Sequence, residues 1–237
     1  MRIVLLISAL LVVSGLTSVD AKTCPSTHTD IRVSEDLKPP LIDDSKTSDQ
    51  LKAMRFTNAL TNDPSFVETV GLTAATISVS TEIRTRSSGS ENTAGCLSLR
   101  LISIKISTAP NVYLAAGHGI CLQNVAMGHE MGHVEIDRNL IDRFVPIFRT
   151  RLASLADAIG STSSPSHDDW LTIRERVDDQ INSTLSHIND SMAIERALEH
   201  ADHDSPAEYR RVSMACPAVS VNPSFVEPRS RSHIDSQ

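Results

Sequence analysis

From Leu122 to Ile159, apolar residues return every three or four positions: Leu122, Val125, Ile136, Leu140, Phe144, Ile147, Leu155 and Ile159. That spacing keeps one side of an α-helix apolar, so it predicts a long helix with one face committed to a core. Pro146 lies inside it and predicts a kink. Gly160 to Pro165 break the pattern. It resumes near Ser166 or Asp168 with Trp170, Ile173, Val177, Ile181, Leu185, Ile188 and Met192, and stops before Pro206. Two such helices separated by a short break are expected to fold back on one another, and the rest of the chain must be arranged around the pair.

The apolar stripe of the first helix is interrupted by His129-Glu130-Met131-Gly132-His133. Positions 129 and 133 fall in the same row as 125, 136 and 140, so both imidazoles face inwards, one turn apart. Two buried histidines need partners, and two imidazoles at i and i+4 can grip one metal ion. The carboxylate of Glu130 then lies beside the first ligand, where it can act as a general base. Gly128 and Gly132 each cost the helix about 1 kcal/mol relative to alanine, which suggests that something approaches the helix closely there.

A catalytic zinc takes three protein ligands and keeps one position open. Three and six residues beyond His133 stand Ile136 and Asn139, neither of them a zinc ligand, so the third ligand comes from elsewhere. Gly160 is 27 residues beyond His133, about 40 Å of helix. A second helix folding straight back draws level with His133 near residue 195. Extending its apolar row past Met192 gives Glu195, Glu199 and Asp202. Glu195 or Glu199 is therefore the expected third ligand, the other supporting a ligand histidine. His203, one turn beyond Glu199, is the next candidate, followed by His200. His118, in the Gly117-His118-Gly119 turn, is a candidate substrate or oxyanion donor. Glu135 and Asp137 are read as facing solvent.

The amino-terminal half reads as strands and coil. Residues 22–46, rich in Pro, Asp, Ser and Thr, form an extended segment. Ser48 is expected to cap a short helix running to about Leu60, ended by Asn62-Asp63-Pro64. Ile77 to Arg84 alternates and reads as a half-buried strand, and Arg86 to Gly95 as a loop or hairpin turn. Leu97 to Ile106 alternates with a change of phase at Leu101-Ile102, which suggests a bulge. Asn111 to Ala115 is a third strand. The fold class is α+β: a small, mainly antiparallel sheet, then an active-site helix, then a second long antiparallel helix.

Arg2 followed by the apolar run Ile3 to Val13 and the small-residue site Val19-Asp20-Ala21 reads as a signal peptide over residues 1–21, with cleavage near Ala21-Lys22. The run is too short to span a bilayer, and no other segment is long and apolar enough for a transmembrane anchor in the mature chain. The chain is thus expected to be secreted or periplasmic. Its four cysteines, Cys24, Cys96, Cys121 and Cys216, follow the signal, which suggests disulfides. The expected pairs are Cys96–Cys121 and Cys24–Cys216, the second tying down both tails. Residues 47–216 make one metallohydrolase domain, and 217–237, with three prolines, a disordered tail. Asn182 and Asn189 begin glycosylation patterns that matter only in a eukaryotic secretory route. At 3% aromatic residues the core must rest on Leu, Ile, Val and Ala. A net charge of −7 without a basic cluster argues against a nucleic-acid partner.

The block Gly128-His-Glu-Met-Gly-His-Val-Glu-Ile136 resembles the bacterial family described as predicted secreted zinc-dependent proteases (domain of unknown function 922). Thr47-Ser-Asp-Gln-Leu51, Asp63-Pro64 and Gly71-Leu-Thr73 resemble its leading segment, and Cys96 before an alternating strand also fits. The resemblance covers roughly residues 46 to 150. It implies a zincin-like secreted metallopeptidase in which His129 and His133 bind Zn2+ and Glu130 is catalytic; it supplies no third ligand. A peptide or protein is then the expected substrate. The rival expectations are an exported zinc-binding envelope or structural protein without catalysis, and a zinc amidohydrolase acting on a non-peptide amide.

Overall fold

The computed structural model describes residues 24, 27–58, 69–88, 95–164 and 167–216. The signal segment, the Asn62-Asp63-Pro64 stop and the tail from 217 lie outside the described residues. The elements are β1 (Asp30–Leu37), β2 (Leu41–Lys46), α1 (Ser48–Asn58), β3 (Gly71–Ala74), β4 (Ile77–Ser88), β5 (Gly95–Thr108), β6 (Asn111–Ala115), α2 (Ile120–Ile159), β7 (Ser161–Ser164), α3 (His167–His203) and α4 (Pro206–Met214). The fold is α+β, with two sheets where the sequence predicts one. The first has the order β1-β5-β4 with β7 on β5; the second has the order β2-β6-β3. In the second, β2 pairs parallel and β3 antiparallel to β6.

Two compact units partition the chain. The first takes Met1–Ser34, Ser80–Lys105 and Val145–Asn189; the second takes Glu35–Val79, Ile106–Phe144 and Asp190–Gln237. In the first, Leu97, Leu99, Ile102 and Ile104 of β5 are buried, as are Phe148 and Leu152 of α2 and Val177, Ile181 and Leu185 of α3. The burial switches from odd to even positions at Leu101-Ile102, following the phase change in the sequence. In the second, Leu51, Val112, Leu114, Val134, Leu140, Ile141 and Phe144 are buried.

Residues 22–46 are not simply coil, since β1 and β2 lie there. Their Asp- and Ser-rich sequence has little intrinsic strand preference; β2 is an edge strand whose pairing to β6 supplies what its side chains do not. The break at 160–165 likewise carries β7, paired antiparallel to β5. Gly160, at φ +55, closes α2 in the left-handed region. Helix α2 continues through Pro146. The cap of α1 is Thr47 rather than Ser48: the Gln50 backbone N–H donates to Thr47 Oγ1 at 3.2 Å, and the Thr47 N–H to Gln50 Oε1 at 2.8 Å, a reciprocal capping box.

The disulfides are Cys24–Cys96 and Cys121–Cys216, which corrects the expected pairing. Strand β1 begins six residues after Cys24 and is hydrogen-bonded beside β5, whose second residue is Cys96. Helix α4 turns back against α2, where Glu208 and Tyr209 meet His129, and so brings Cys216 to Cys121 in the first turn of α2. Strand pairing and helix return decide the partners, not the wish to join the two tails.

Candidate metal centre

The site lies wholly in the second unit. Its first wall is α2, where His129, Glu130 and His133 are buried at 6%, 5% and 6% exposure. Its second wall is the last turns of α3. The two helices run antiparallel there, because Asp137 meets Arg196 and His200, His133 meets His200, and His129 meets His203. His133 is thus level with residue 200, not 195. The connection between the helices carries a strand, β7, rather than a tight turn.

His129, His133 and His203 bring one ligand atom each to within 4.8 Å of one another, so together they could hold a metal ion. Glu195 and Glu199 are elsewhere. Both accept from Arg143, the Glu195 contact at 2.8 Å, and all three side chains are substantially exposed. Pairs of that kind are worth at most about 1 kcal/mol. His118 stands at the head of α1, its Nε2 3.1 Å from Ser48 Oγ. Gly117, at φ +87, makes the turn before it.

Each of the three histidines is oriented through one ring nitrogen. His129 Nδ1 is 3.4 Å from Glu208 Oε1. His133 Nδ1 is 2.9 Å from His200 Nδ1, and His200 Nε2 is 2.8 Å from Asp137 Oδ1. His203 Nε2 donates to the His129 carbonyl at 2.9 Å. Metal-ligating histidines are held in this way by the nitrogen that faces away from the ion. The opposite nitrogens of His129 and His133, both Nε2, converge on Asp204 Oδ1 at 3.1 and 3.0 Å. The donor set and its support fit a small divalent cation.

Electrostatics follow the same contacts. Burial raises the Asp204 carboxyl pKa, but the hydrogen bonds from His129 and His133 outweigh it and hold the group far below the usual carboxylate range. Burial lowers His129, yet its bond to Asp204 and the charges of Glu130 and Asp204 leave it raised. His133 is lowered by burial, which its bond to Asp204 only partly offsets. Glu208 is brought to about 2, chiefly by its bond to Arg211.

Glu130 points to β3. Thr73 Oγ1 lies 2.8 Å from Glu130 Oε2, and a Cβ at Gly71 would stand 2.6 Å from Glu130 Oε1. The missing side chain at 71 is therefore what lets the carboxylate lie there. Gly132 does the same for His203: a Cβ at 132 would come within 2.5 Å of its ring. Gly128 has open space instead, so only one of the two helix glycines has this reason. Gly132→Ala is expected to displace His203 and weaken metal binding by about 10- to 100-fold, the size of effect seen when a ligand loses its positioning. Competition against a zinc-sensitive dye measures it.

No protein-family model, curated protein or solved structure matches the chain. The family resemblance thus rests on the Gly128–Ile136 block and the shorter stretches before it alone. Residues missed by the sequence reading are Asp204, Asp137, Arg196 and Glu208. Asp137, read as solvent-facing, is 2% exposed and accepts from Arg196 at 2.6 and 2.8 Å. The signal that finds two of them is the i+4 series Met192, Arg196, His200 and Asp204, which runs along α3 and just past its end.

Proposed function

We propose that the chain is a secreted zinc-dependent metallopeptidase in which His129, His133 and His203 hold the metal and Glu130 is the general base. The observation that carries this reading is the convergence of three oriented imidazoles beside the buried Glu130 carboxylate. A zinc ion held there would polarise a carbonyl and acidify a water molecule. Glu130, steadied by Thr73, takes the proton from the attacking water and delivers it to the leaving nitrogen. The neighbouring strand β3 is an edge of its sheet, and an extended peptide can add to such an edge by main-chain hydrogen bonds. Strands β5 and β6, by contrast, are each interior to their sheets. A cavity of about 980 Å³ runs along β3, lined by Leu72, Thr73 and Ala74 and reaching His200 and Asp204.

Two disulfides, and no described helix long and apolar enough to cross a membrane, are compatible with an extracellular or periplasmic protein. The second reading is a zinc-binding structural protein without catalysis. Asp204 favours it, since a carboxylate against both histidines can fill the position a catalyst leaves open.

The test is metal content together with hydrolysis. The purified protein is expected to carry about one zinc, to cleave an unfolded protein substrate, and to lose that activity to a chelator. His203→Ala is expected to lose the metal, whereas Glu195→Ala and Glu199→Ala keep it. Stoichiometric zinc without cleavage of any peptide or protein substrate would leave the structural reading standing. Absence of zinc from protein prepared without chelators would sink both.

A further inference from the structure

We propose that Asp204 is a fourth protein ligand, so that the resting centre is closed and an incoming group must displace this carboxylate. The inference rests on the metal reading above and extends it. A carboxylate that merely supports a ligand histidine sits at the nitrogen facing away from the ion. Glu208 does so for His129, and Asp137 does so for His133 through His200. Asp204 stands on the other side, where a single oxygen faces Nε2 of both rings. With metal–ligand bonds of about 2.0–2.2 Å, neighbouring ligand atoms of a tetrahedral site lie roughly 3.3–3.5 Å apart. The separations of 3.1 and 3.0 Å from His129 and His133 are close to two such edges.

The carrier of this ligand is suited to release it. Asp204 lies in the corner between α3 and α4, just before the Ser205 cap and Pro206. Its side chain is 36% exposed and borders the cavity along β3.

The experiment loads the purified wild-type protein, Asp204→Ala and Asp204→Asn with Co2+ and records the visible d–d spectrum while acetohydroxamate is added. Asn keeps the size of the side chain should Ala disturb the corner. The wild type is expected to show the intense bands of four-coordinate cobalt. The variants are expected to show weaker, shifted bands and to bind acetohydroxamate at least about tenfold more tightly, since a ligand present nine-tenths of the time lowers an incomer's apparent affinity by that factor. Identical spectra and affinities in all three proteins would overturn the closed centre while leaving the metal reading intact. A wild type that takes up neither cobalt nor zinc would overturn both.

Discussion

Glu130→Gln is expected to lower kcat/KM for peptide hydrolysis by about 10²- to 10⁴-fold, the usual contribution of a positioned general base, while zinc content stays at the wild-type level. The amide has the shape of the carboxylate and can still accept from Thr73, whose hydroxyl lies 2.8 Å from Glu130 Oε2. His129 and His133 keep their own supports, Glu208 and His200. What disappears is the group that accepts a proton. Steady-state rates at saturating zinc, with metal content measured on the same sample, separate loss of the base from loss of the ion. A variant that cleaves at the wild-type rate would remove Glu130 from the chemistry and the metallopeptidase reading with it.

Asp137→Ala is expected to cost about 3–5 kcal/mol of folding stability, the range for breaking a buried ion pair by deleting one partner. The Asp137 carboxylate is 2% exposed and accepts from Arg196 Nε, Arg196 Nη2 and His200 Nε2. Its removal leaves Arg196, whose side chain is only 30% exposed, without its counter-charge. In a chain of this length that is a fall of roughly 10 °C in melting temperature, to be measured on chelator-treated protein so that metal binding adds nothing. The pH dependence follows from the direction of the shift. Burial raises the Asp137 carboxyl, but the bonds from His200 and Arg196 leave it lowered. Its contribution is therefore present above the unfolded value near 3.9 and is lost as pH falls through the depressed folded value. The acid limb of unfolding is expected to be shallower in the variant. A loss below about 1 kcal/mol would mean that Arg196 and His200 recover their bonds in solvent.

The two helices and the strands expected over Ile77 to Arg84, Leu97 to Ile106 and Asn111 to Ala115 follow from periodicity, because each is long enough for burial to impose a pattern; β4 and β5 run on into the expected loop, to Ser88 and from Gly95, and on α2 Ile147 is exposed while Phe148 and Leu152 are buried. Strands β1, β2 and β7 could not be read so. They are short or polar, and hydrogen bonds to β5 or β6 hold them.

The pair His129 and His133, one turn apart on the buried face of one helix with Glu130 beside them, is set by sequence alone. Helical geometry places i and i+4 together whatever surrounds them. What the pair meets was decided only in three dimensions. From Met192, steps of three, four and three give Glu195, Glu199 and Asp202; steps of four give Arg196, His200 and, just past the end of α3, Asp204, with His203 alongside. Both steps are legitimate on a helix of 3.6 residues per turn. The choice depends on how far α3 is rotated and shifted against α2, which shows in the contacts of Asp137 with Arg196 and His200 and of His129 with His203. So the histidine pair was legible from its spacing, while its partners Asp137, His200, His203 and Asp204 were fixed by the register of one helix against another.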